Sequence, residues 1–190
     1  DFSNEDNIKL IVEKKPNMIW IESPTNPLLK VIDIEQICSI ANIYKIPVVV
    51  DNTFCTALIQ KPIELGATLS LTSTTKYLNG HSDALGGSVC TNQKEWQENM
   101  IFAQKSLGLQ PSPFDCWLIT RGIKTLSLRL KKQVSNAEEI VDYLSKQKKI
   151  EWVGYPFKQD HPNNKLAQKQ MKSGGAIITL KIRKNEEEEY

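Results

Sequence analysis

Three short apolar runs, each ending in polar residues, limit the folds open to this chain more than any other feature. The runs cover residues 18–22, 48–51 and 67–72. Between the first two, residues 33–44 place apolar side chains three and four positions apart, which predicts a helix with Asp33 as its N-cap. Continuous apolar strands separated by helices are typical of a parallel sheet that is covered on both faces. The sequence therefore predicts an α/β fold.

The second half of the chain predicts long helices followed by short strands. Residues 93–107 and 114–146 show helical spacing, and the latter predict one continuous helix of roughly 50 Å, at a rise of ~1.5 Å per residue. Residues 150–153 and 176–182 are strand candidates, and we expect the second to lack the partners that complete a sheet. Such a helix commonly leads into another domain. We also expect the 190 residues to be a fragment or a truncated gene product.

Composition excludes several classes of function. The 24 Lys and Arg and the 22 Asp and Glu leave a net charge of +2 without a basic block, which argues against a nucleic-acid binder. No apolar run approaches the roughly 18 residues of a membrane span, so we expect no membrane partner. The four cysteines form no Cys-x-x-Cys pair. We therefore expect no metal site and no disulfide framework, but free thiols in a reducing cytoplasm.

Polar residues follow each predicted strand directly, at the edge where open α/β sheets bind their ligands. Lys76 follows the third strand, where burial would lower the pKa of its amine and make it a nucleophile or base. Ser73 and Thr75 offer hydroxyls to an anion such as a phosphate, and Asp51 places a carboxylate in an apolar setting that calls for a cation. Together these groups describe a pyridoxal phosphate (PLP) site with a Schiff-base lysine. The same residues also fit a surface lysine, a helix cap and ordinary turn hydrogen bonds.

An acyl-transfer enzyme is a second interpretation of the same lysine. Ser73 and Lys76 form the Ser-x-x-Lys motif of penicillin-binding proteins and β-lactamases. That class also needs Ser-Asp-Asn and Lys-Thr-Gly, whereas residues 82–84 here are Ser-Asp-Ala and residues 124–126 are Lys-Thr-Leu. The sequence therefore favours the PLP interpretation.

Segments at these strand ends resemble the Cys/Met-metabolism family of PLP-dependent enzymes. The matching segments are residues 22–27, 50–54, 73–83, 112–117 and 121–126, in the order and at the spacings of the family. The resemblance covers essentially the whole chain. It implies a fold-type-I, aminotransferase-like α/β fold, with part of the PLP-binding large domain in residues 1–127 and the start of a smaller C-terminal α/β domain in residues 128–190.

The resemblance also assigns roles, residue by residue. By motif, Lys76 is the catalytic residue and forms the Schiff base with PLP. Five further residues would bind the cofactor: Asp51 at the pyridine nitrogen, Ser73 and Thr75 at the phosphate, Asn26 near the ring hydroxyl and the substrate carboxylate, and Thr53 near the ring. Thr74 stands where alanine is commoner in the family.

The activity that the resemblance implies is a carbon–sulfur lyase with a small amino-acid substrate. We expect γ-elimination of L-cystathionine to cysteine, 2-oxobutanoate and ammonia. The alternatives are a cystathionine β-lyase, a cystathionine γ-synthase or a methionine γ-lyase. The resemblance further implies homotetramers built from dimers. The family's ring-stacking tyrosine, phosphate loop and carboxylate-binding arginine fall outside residues 1–190. A non-enzymatic alternative is therefore an inactive fragment that only binds cofactor or oligomerises.

Overall fold

The computed structural model describes residue 2 and residues 5–183 of the chain. Across these residues the chain forms a four-stranded sheet, seven α-helices and a two-stranded sheet. Residues 184–190 of the predicted second domain lie outside the described residues. The division into residues 1–127 and 128–190 stays a prediction.

The helices and strands alternate through the first half of the chain. The first sheet contains β1 (Ile19–Glu22), β2 (Val48–Asp51), β3 (Leu69–Ser73) and β4 (Gly87–Cys90), and the second contains β5 (Ile150–Gly154) and β6 (Thr179–Ile182). The helices are α1 (Lys9–Lys14), α2 (Ile34–Ile43), α3 (Thr56–Ile59), α4 (Lys94–Ser106), α5 (Pro113–Ile123), α6 (Leu126–Leu144) and α7 (Asn164–Gln170). None of these described helices is long and apolar enough to cross a bilayer.

The first sheet confirms the predicted parallel arrangement. Its order is β1-β2-β3-β4, with β1, β2 and β3 parallel. Glu22 lies opposite Asp51 in the register, and Asp51 lies opposite Leu71, so the carboxyl ends of the strands meet at one edge. The antiparallel strand β4 was not predicted, because the Gly-Ser-Val-Cys sequence of this edge strand carries no apolar alternation.

Helix α2 is the predicted crossover between β1 and β2. Asp33 caps it, and its Oδ1 accepts a hydrogen bond of 2.9 Å from the Gln36 N–H. Its buried side chains share one apolar core with the fully buried Val48 and Val50 of β2. The hydrophobic spacing in the sequence therefore identified both the helix and the face that it buries.

The single long helix predicted over residues 114–146 is wrong, because α5 and α6 are separate helices. Lys124 and Thr125 lie between them, and their N–H groups bond three residues back, to the carbonyls of Arg121 and Gly122. The Thr125 hydroxyl also donates to the Gly122 carbonyl at 3.2 Å. These local bonds replace the α-helical pattern and end α5. Apolar spacing alone does not reveal such a break, because it continues on both sides.

The second sheet also differs from the expectation. Strand β6 was expected to lack partners, yet it pairs with β5 in an antiparallel ladder. Helix α7, which was not predicted, comes between these strands in the sequence and packs against residues of the first half of the chain. Ala167 of α7 and Leu130 of α6 share an apolar cluster with Val31 and Cys55.

Buried amide side chains join α7 to the loops that follow β1 and β2. Gln170 Nε2 donates to the Ile32 carbonyl at 3.1 Å and to Gln60 Oε1 at 2.9 Å. Gln170 Oε1 accepts from the Ile34 N–H at 3.0 Å. Gln60 Nε2 donates in turn to Asn52 Oδ1 at 2.9 Å. Because buried polar groups are costly without partners, this network fixes the loops around the strand ends.

We predict that Gln170→Ala lowers the free energy of unfolding by about 2–4 kcal/mol, because it leaves several buried polar groups without partners. Gln168→Ala on the same helix is the matched control. The Gln168 side chain is exposed, so its loss should cost less than about 0.5 kcal/mol. Urea unfolding followed by circular dichroism measures both values. Equal stabilities of the two variants would show that the amide network does not stabilise the fold.

Candidate active site

The carboxyl edge of the parallel sheet collects most of the residues predicted to be functional. Asp51 ends β2 and Ser73 ends β3, while Asn26 lies in the loop after β1. Thr75 and Lys76 belong to a single π-helical turn, Thr74–Leu78, that follows β3 and is called the lysine turn below. Ligand sites of open α/β sheets occur at this edge.

Thr53 joins the ends of β2 and β3. Its main-chain N–H donates to Asp51 Oδ1 at 3.0 Å, and its hydroxyl accepts from the Ser73 N–H at 2.9 Å. Thr53 is buried, whereas Asp51 and Ser73 are half-buried. These bonds hold the carboxylate and the end of β3 at fixed positions next to each other.

The lysine turn departs from α-helical geometry at the predicted catalytic residue. Lys76 has φ −88° and ψ −116°, outside the helical region. The Asn79 N–H donates to the Thr74 carbonyl, five residues back, at 3.0 Å. The Gly80 N–H donates to the Lys76 carbonyl at 2.8 Å. Single π-helical turns are frequent at functional sites.

Lys76 lines a cavity of about 470 Å³ together with Phe54, Thr75, Tyr77 and Ile177. Its side chain is exposed, so the expectation of a partly desolvated amine is wrong for the described structure. Lys76 is exposed because the lysine turn carries the chain beyond the end of β3, where the sheet no longer covers its side chain. Burial and the nearby Cys55 thiol raise the pKa of the Tyr77 phenol to about 12, so this phenol keeps its proton at neutral pH.

Thr75 is held by a glycine that follows the turn. The Gly86 N–H donates to Thr75 Oγ1 at 3.0 Å, and the Thr75 hydroxyl donates to the Gly86 carbonyl over a longer 3.3 Å. The first bond fixes the position of the hydroxyl oxygen. The second bond is long and therefore weak, so the Thr75 hydroxyl proton is available to another acceptor.

Asn26 is the predicted residue that the described contacts do not connect to the others. It is exposed, and its main-chain N–H donates to Glu22 Oε2 at 3.0 Å. Glu22 lies beside Asp51 in the register, which places Asn26 at the same edge. The structure thus links Asp51 with Thr53 and Ser73, places Thr75 and Lys76 on one cavity, and leaves Asn26 apart.

The donor set fits a cofactor that carries an aldehyde, a basic ring nitrogen and a phosphate. Within residues 5–183, Lys76 Nζ, the Ser73 hydroxyl and Asp51 Oδ2 have no hydrogen-bond or ion-pair partner. An amine, a hydroxyl donor and a carboxylate are therefore free to bind such groups. These are the chemical groups that a PLP enzyme supplies.

Arg129 is a residue near the site that the sequence did not indicate. It belongs to α6, and its guanidinium donates to the carbonyls of Tyr77 and Leu78 at 3.0 and 3.3 Å. It also donates to the Gly122 carbonyl at 2.9 Å and to Thr125 Oγ1 at 3.0 Å. No local pattern marks this arginine, because its partners in the lysine turn lie about fifty positions away.

Thr74 carries a polar atom that the surrounding structure does not satisfy. Its side-chain Oγ1 is buried and has no hydrogen-bond partner among the described residues. Its main-chain N–H does bond, to the Gly86 carbonyl at 2.9 Å. The hydroxyl therefore lowers stability without contributing a contact.

Comparisons with known proteins identify relatives of this chain. The model of the family described as Cys/Met metabolism PLP-dependent enzyme matches residues 1–190. The cystathionine beta-lyase of Lactococcus lactis subsp. cremoris is 43% identical over 96% of this chain and 48% of its own length. The cystathionine gamma-lyase of Dictyostelium discoideum is 41% identical over 96% of this chain and 47% of its own length. The chain thus spans about half the length of these curated relatives.

A solved structure confirms the predicted fold class. The cystathionine gamma synthase of Xanthomonas oryzae pv. oryzae, in complex with cystathionine, superposes with a TM-score of 0.95 at 36% identity. The match covers 98% of this chain and 48% of that structure. The family match favours PLP chemistry over the acyl-transfer interpretation of the sequence.

We predict opposite effects on stability for two Thr→Val substitutions at this site. Thr74→Val replaces an unsatisfied hydroxyl by a methyl group of similar size and should raise the free energy of unfolding by about 1 kcal/mol. Thr53→Val removes the acceptor of the Ser73 N–H and should lower it by about 1–3 kcal/mol. Urea unfolding of the two variants and the wild type measures both changes. Effects of the same sign would contradict the assignment of the two hydroxyls.

Proposed function

This chain belongs to the Cys/Met-metabolism family of PLP-dependent enzymes, and we propose that it binds PLP at the carboxyl edge of its parallel sheet. The observation that carries the proposal is the position of Lys76. It lies on the cavity at the end of β3, while the Asp51 carboxylate is held at the neighbouring strand end by Thr53. An amine and a carboxylate at adjacent strand ends suit the two reactive parts of PLP.

Lys76 has two roles in the proposal. PLP, when bound, supplies an aldehyde carbon that reacts with amines and a pyridinium ring that accepts the electron pair left at the Cα of an amino acid. Lys76 Nζ would hold the cofactor covalently at that aldehyde carbon, with the aldehyde oxygen lost as water. When its amine is free, Lys76 Nζ would be the general base that takes the Cα proton of the substrate.

The remaining residues orient the cofactor in this proposal. Asp51 Oδ2 has no partner among residues 5–183, so the carboxylate keeps a proton on the ring nitrogen. Ser73 and Thr75 donate their hydroxyls to the phosphate. Thr53 supports the ring indirectly, because it fixes Asp51 and Ser73. Asn26, which is exposed at the same edge, binds the ring hydroxyl and the substrate carboxylate.

The reaction that we propose is γ-elimination of L-cystathionine. Lys76 would take the proton from Cα, a second proton would leave Cβ, and the sulfur would leave Cγ with one proton as the thiol of cysteine. The other proton would return to Cγ, and hydrolysis would then give 2-oxobutanoate and ammonia. The Dictyostelium relative named a gamma-lyase supports this choice, together with the motif resemblance of the sequence.

Cleavage on the other side of the sulfur is the second candidate. The Lactococcus relative, at 43% identity, is named a cystathionine beta-lyase. The same groups would serve β-elimination, because both reactions begin with removal of the Cα proton by the lysine. The two candidates differ in which carbon–sulfur bond breaks.

A homo-oligomer is part of the proposal. Every residue of α4, all of which the structure describes, is at least partly exposed, and Phe102 of this helix is 72% exposed. Phe114 and Trp117 of α5 are 65% and 57% exposed. Exposed apolar groups of this size are typical of surfaces that other protein segments cover. They agree with assembly into the homotetramer that the resemblance implies.

We predict that Lys76→Ala abolishes covalent capture of PLP, because it removes the reacting amine. The purified chain is incubated with PLP, reduced with borohydride and mapped by mass spectrometry. Reduced cofactor should appear on the peptide that contains Lys76. Lys124→Ala, which removes an exposed lysine between α5 and α6, is the control and should capture PLP as the wild type does. Capture by the Lys76→Ala variant at the wild-type level would overturn the proposal.

We predict that the chain with PLP converts L-cystathionine to cysteine and 2-oxobutanoate. Cleavage of the other carbon–sulfur bond gives homocysteine and pyruvate, so chromatography of the keto acids separates the two candidates. Pyruvate as the main product would replace γ-elimination by β-elimination. Absence of both keto acids, in folded protein with PLP bound to Lys76, would favour the non-enzymatic alternative.

A further inference from the structure

One side chain, that of Arg129, makes hydrogen bonds both to the lysine turn and to the junction of α5 and α6. The Arg129 guanidinium donates to the carbonyls of Tyr77 and Leu78, the two residues that follow Lys76. The same side chain donates to the Gly122 carbonyl at the end of α5 and to the Thr125 hydroxyl between the helices. One guanidinium thus bonds to four oxygens on both sides of this contact.

Two glycines leave room for this arrangement. A Cβ atom at Gly80 would lie 2.0 Å from Arg129 Nη1, so the guanidinium occupies the space that a side chain would need there. A Cβ atom at Gly122 would lie 2.2 Å from the Asn79 carbonyl oxygen. The backbone of α5 therefore contacts the backbone just after the lysine turn. Each position is closely packed, so the turn has little freedom to move.

Arginine is the side chain whose chemistry fits these four acceptors. Its planar guanidinium carries five N–H groups in fixed directions, and three of its nitrogens are used here. All four partners are neutral oxygens, and the Gly122 carbonyl lies at the negative end of α5. A lysine ammonium is a point charge and cannot reach four acceptors that are spread over this plane.

These bonds act on the direction in which Lys76 leaves the backbone. The Lys76 ψ angle of −116° sets the plane of the peptide that joins it to Tyr77. Arg129 holds the next two carbonyls in the chain, so the peptide planes after Lys76 are fixed from outside the turn. From this geometry we infer that Arg129 is a positioning residue that directs the Lys76 amine into its cavity. The inference rests on the proposed function, since it concerns how the PLP-binding lysine is held.

The first test measures covalent capture of PLP by Lys76 in Arg129→Lys and Arg129→Ala. The rate is followed by borohydride quenching and mass spectrometry. Both variants should capture PLP at least about tenfold more slowly, because displacement of a reacting group by about 1 Å has large effects on rate. Arg129→Lys should capture PLP no faster than Arg129→Ala, because a positive charge without the planar guanidinium does not hold the carbonyls. Arg183→Lys, at an exposed arginine that directly follows β6, is the matched control and should leave the rate unchanged.

The second test needs no cofactor. Hydrogen exchange is measured at the amides of Asn79 and Gly80, which bond to the carbonyls of Thr74 and Lys76. In Arg129→Lys both amides should exchange at least about tenfold faster, while the Thr68 amide, bonded to Val48 of the sheet, should be unchanged. Where Arg129 variants unfold, Thr125→Val removes the bond to Arg129 Nε, together with the bond from the Thr125 hydroxyl to the Gly122 carbonyl, and should shift capture and exchange in the same direction.

The outcomes separate the two proposals. If the wild type captures PLP, and Arg129→Lys has the same capture rate and the same exchange rates as the wild type, the positioning role is overturned and the proposed function stands. Absence of capture in the folded wild type would overturn the proposed function, and the exchange rates alone would then decide the role of Arg129. Rescue of the capture rate by lysine would also overturn the inference, because a charge would then suffice.

Discussion

The hydrogen bond between the Ser73 N–H and the Thr53 hydroxyl is the contact on which the candidate site depends. Parallel strands bring their carboxyl ends to one edge, but the ladder ends where the chain leaves the sheet. Beyond that point, Thr53 connects the end of β3 to the Asp51 carboxylate at the end of β2. The spacing between the carboxylate and the start of the lysine turn therefore follows from one short side chain rather than from a flexible loop.

Support also reaches the site from residues far along the chain. The Gln170 amide of α7 bonds to Gln60 and to the main chain near the start of α2, and Gln60 bonds to Asn52, next to Asp51. Arg129 of α6 supports the other side, at the carbonyls that follow Lys76. The two halves of the site are thus fixed by different helices of the second half of the chain. Rigid support of this kind is what a precisely placed set of reacting groups requires.

The sequence predicted the local features of this structure and missed those that depend on distant contacts. The three parallel strands and the Asp33 cap follow from patterns within a few residues, and so does the position of Lys76 after β3. The break at residues 124–125 is made by local bonds, but it coincides with a distant contact, because the backbone of Gly122 packs against Asn79. The exposure of Lys76 and the contacts of Arg129 likewise follow from how separate elements pack. Periodicity carries no information about such contacts, because apolar spacing is unchanged by them.

The close packing around Gly80 has a consequence for how sequences of this kind can vary. Because a Cβ at position 80 would overlap the guanidinium of Arg129, a side chain can be accepted there only when the arginine moves or is replaced. Loss of the arginine, in turn, would open a space beside Gly80, and the carbonyls after Lys76 would then accept hydrogen bonds from water instead. The residues at positions 80 and 129 therefore depend on each other, and divergent sequences should change them together or keep both.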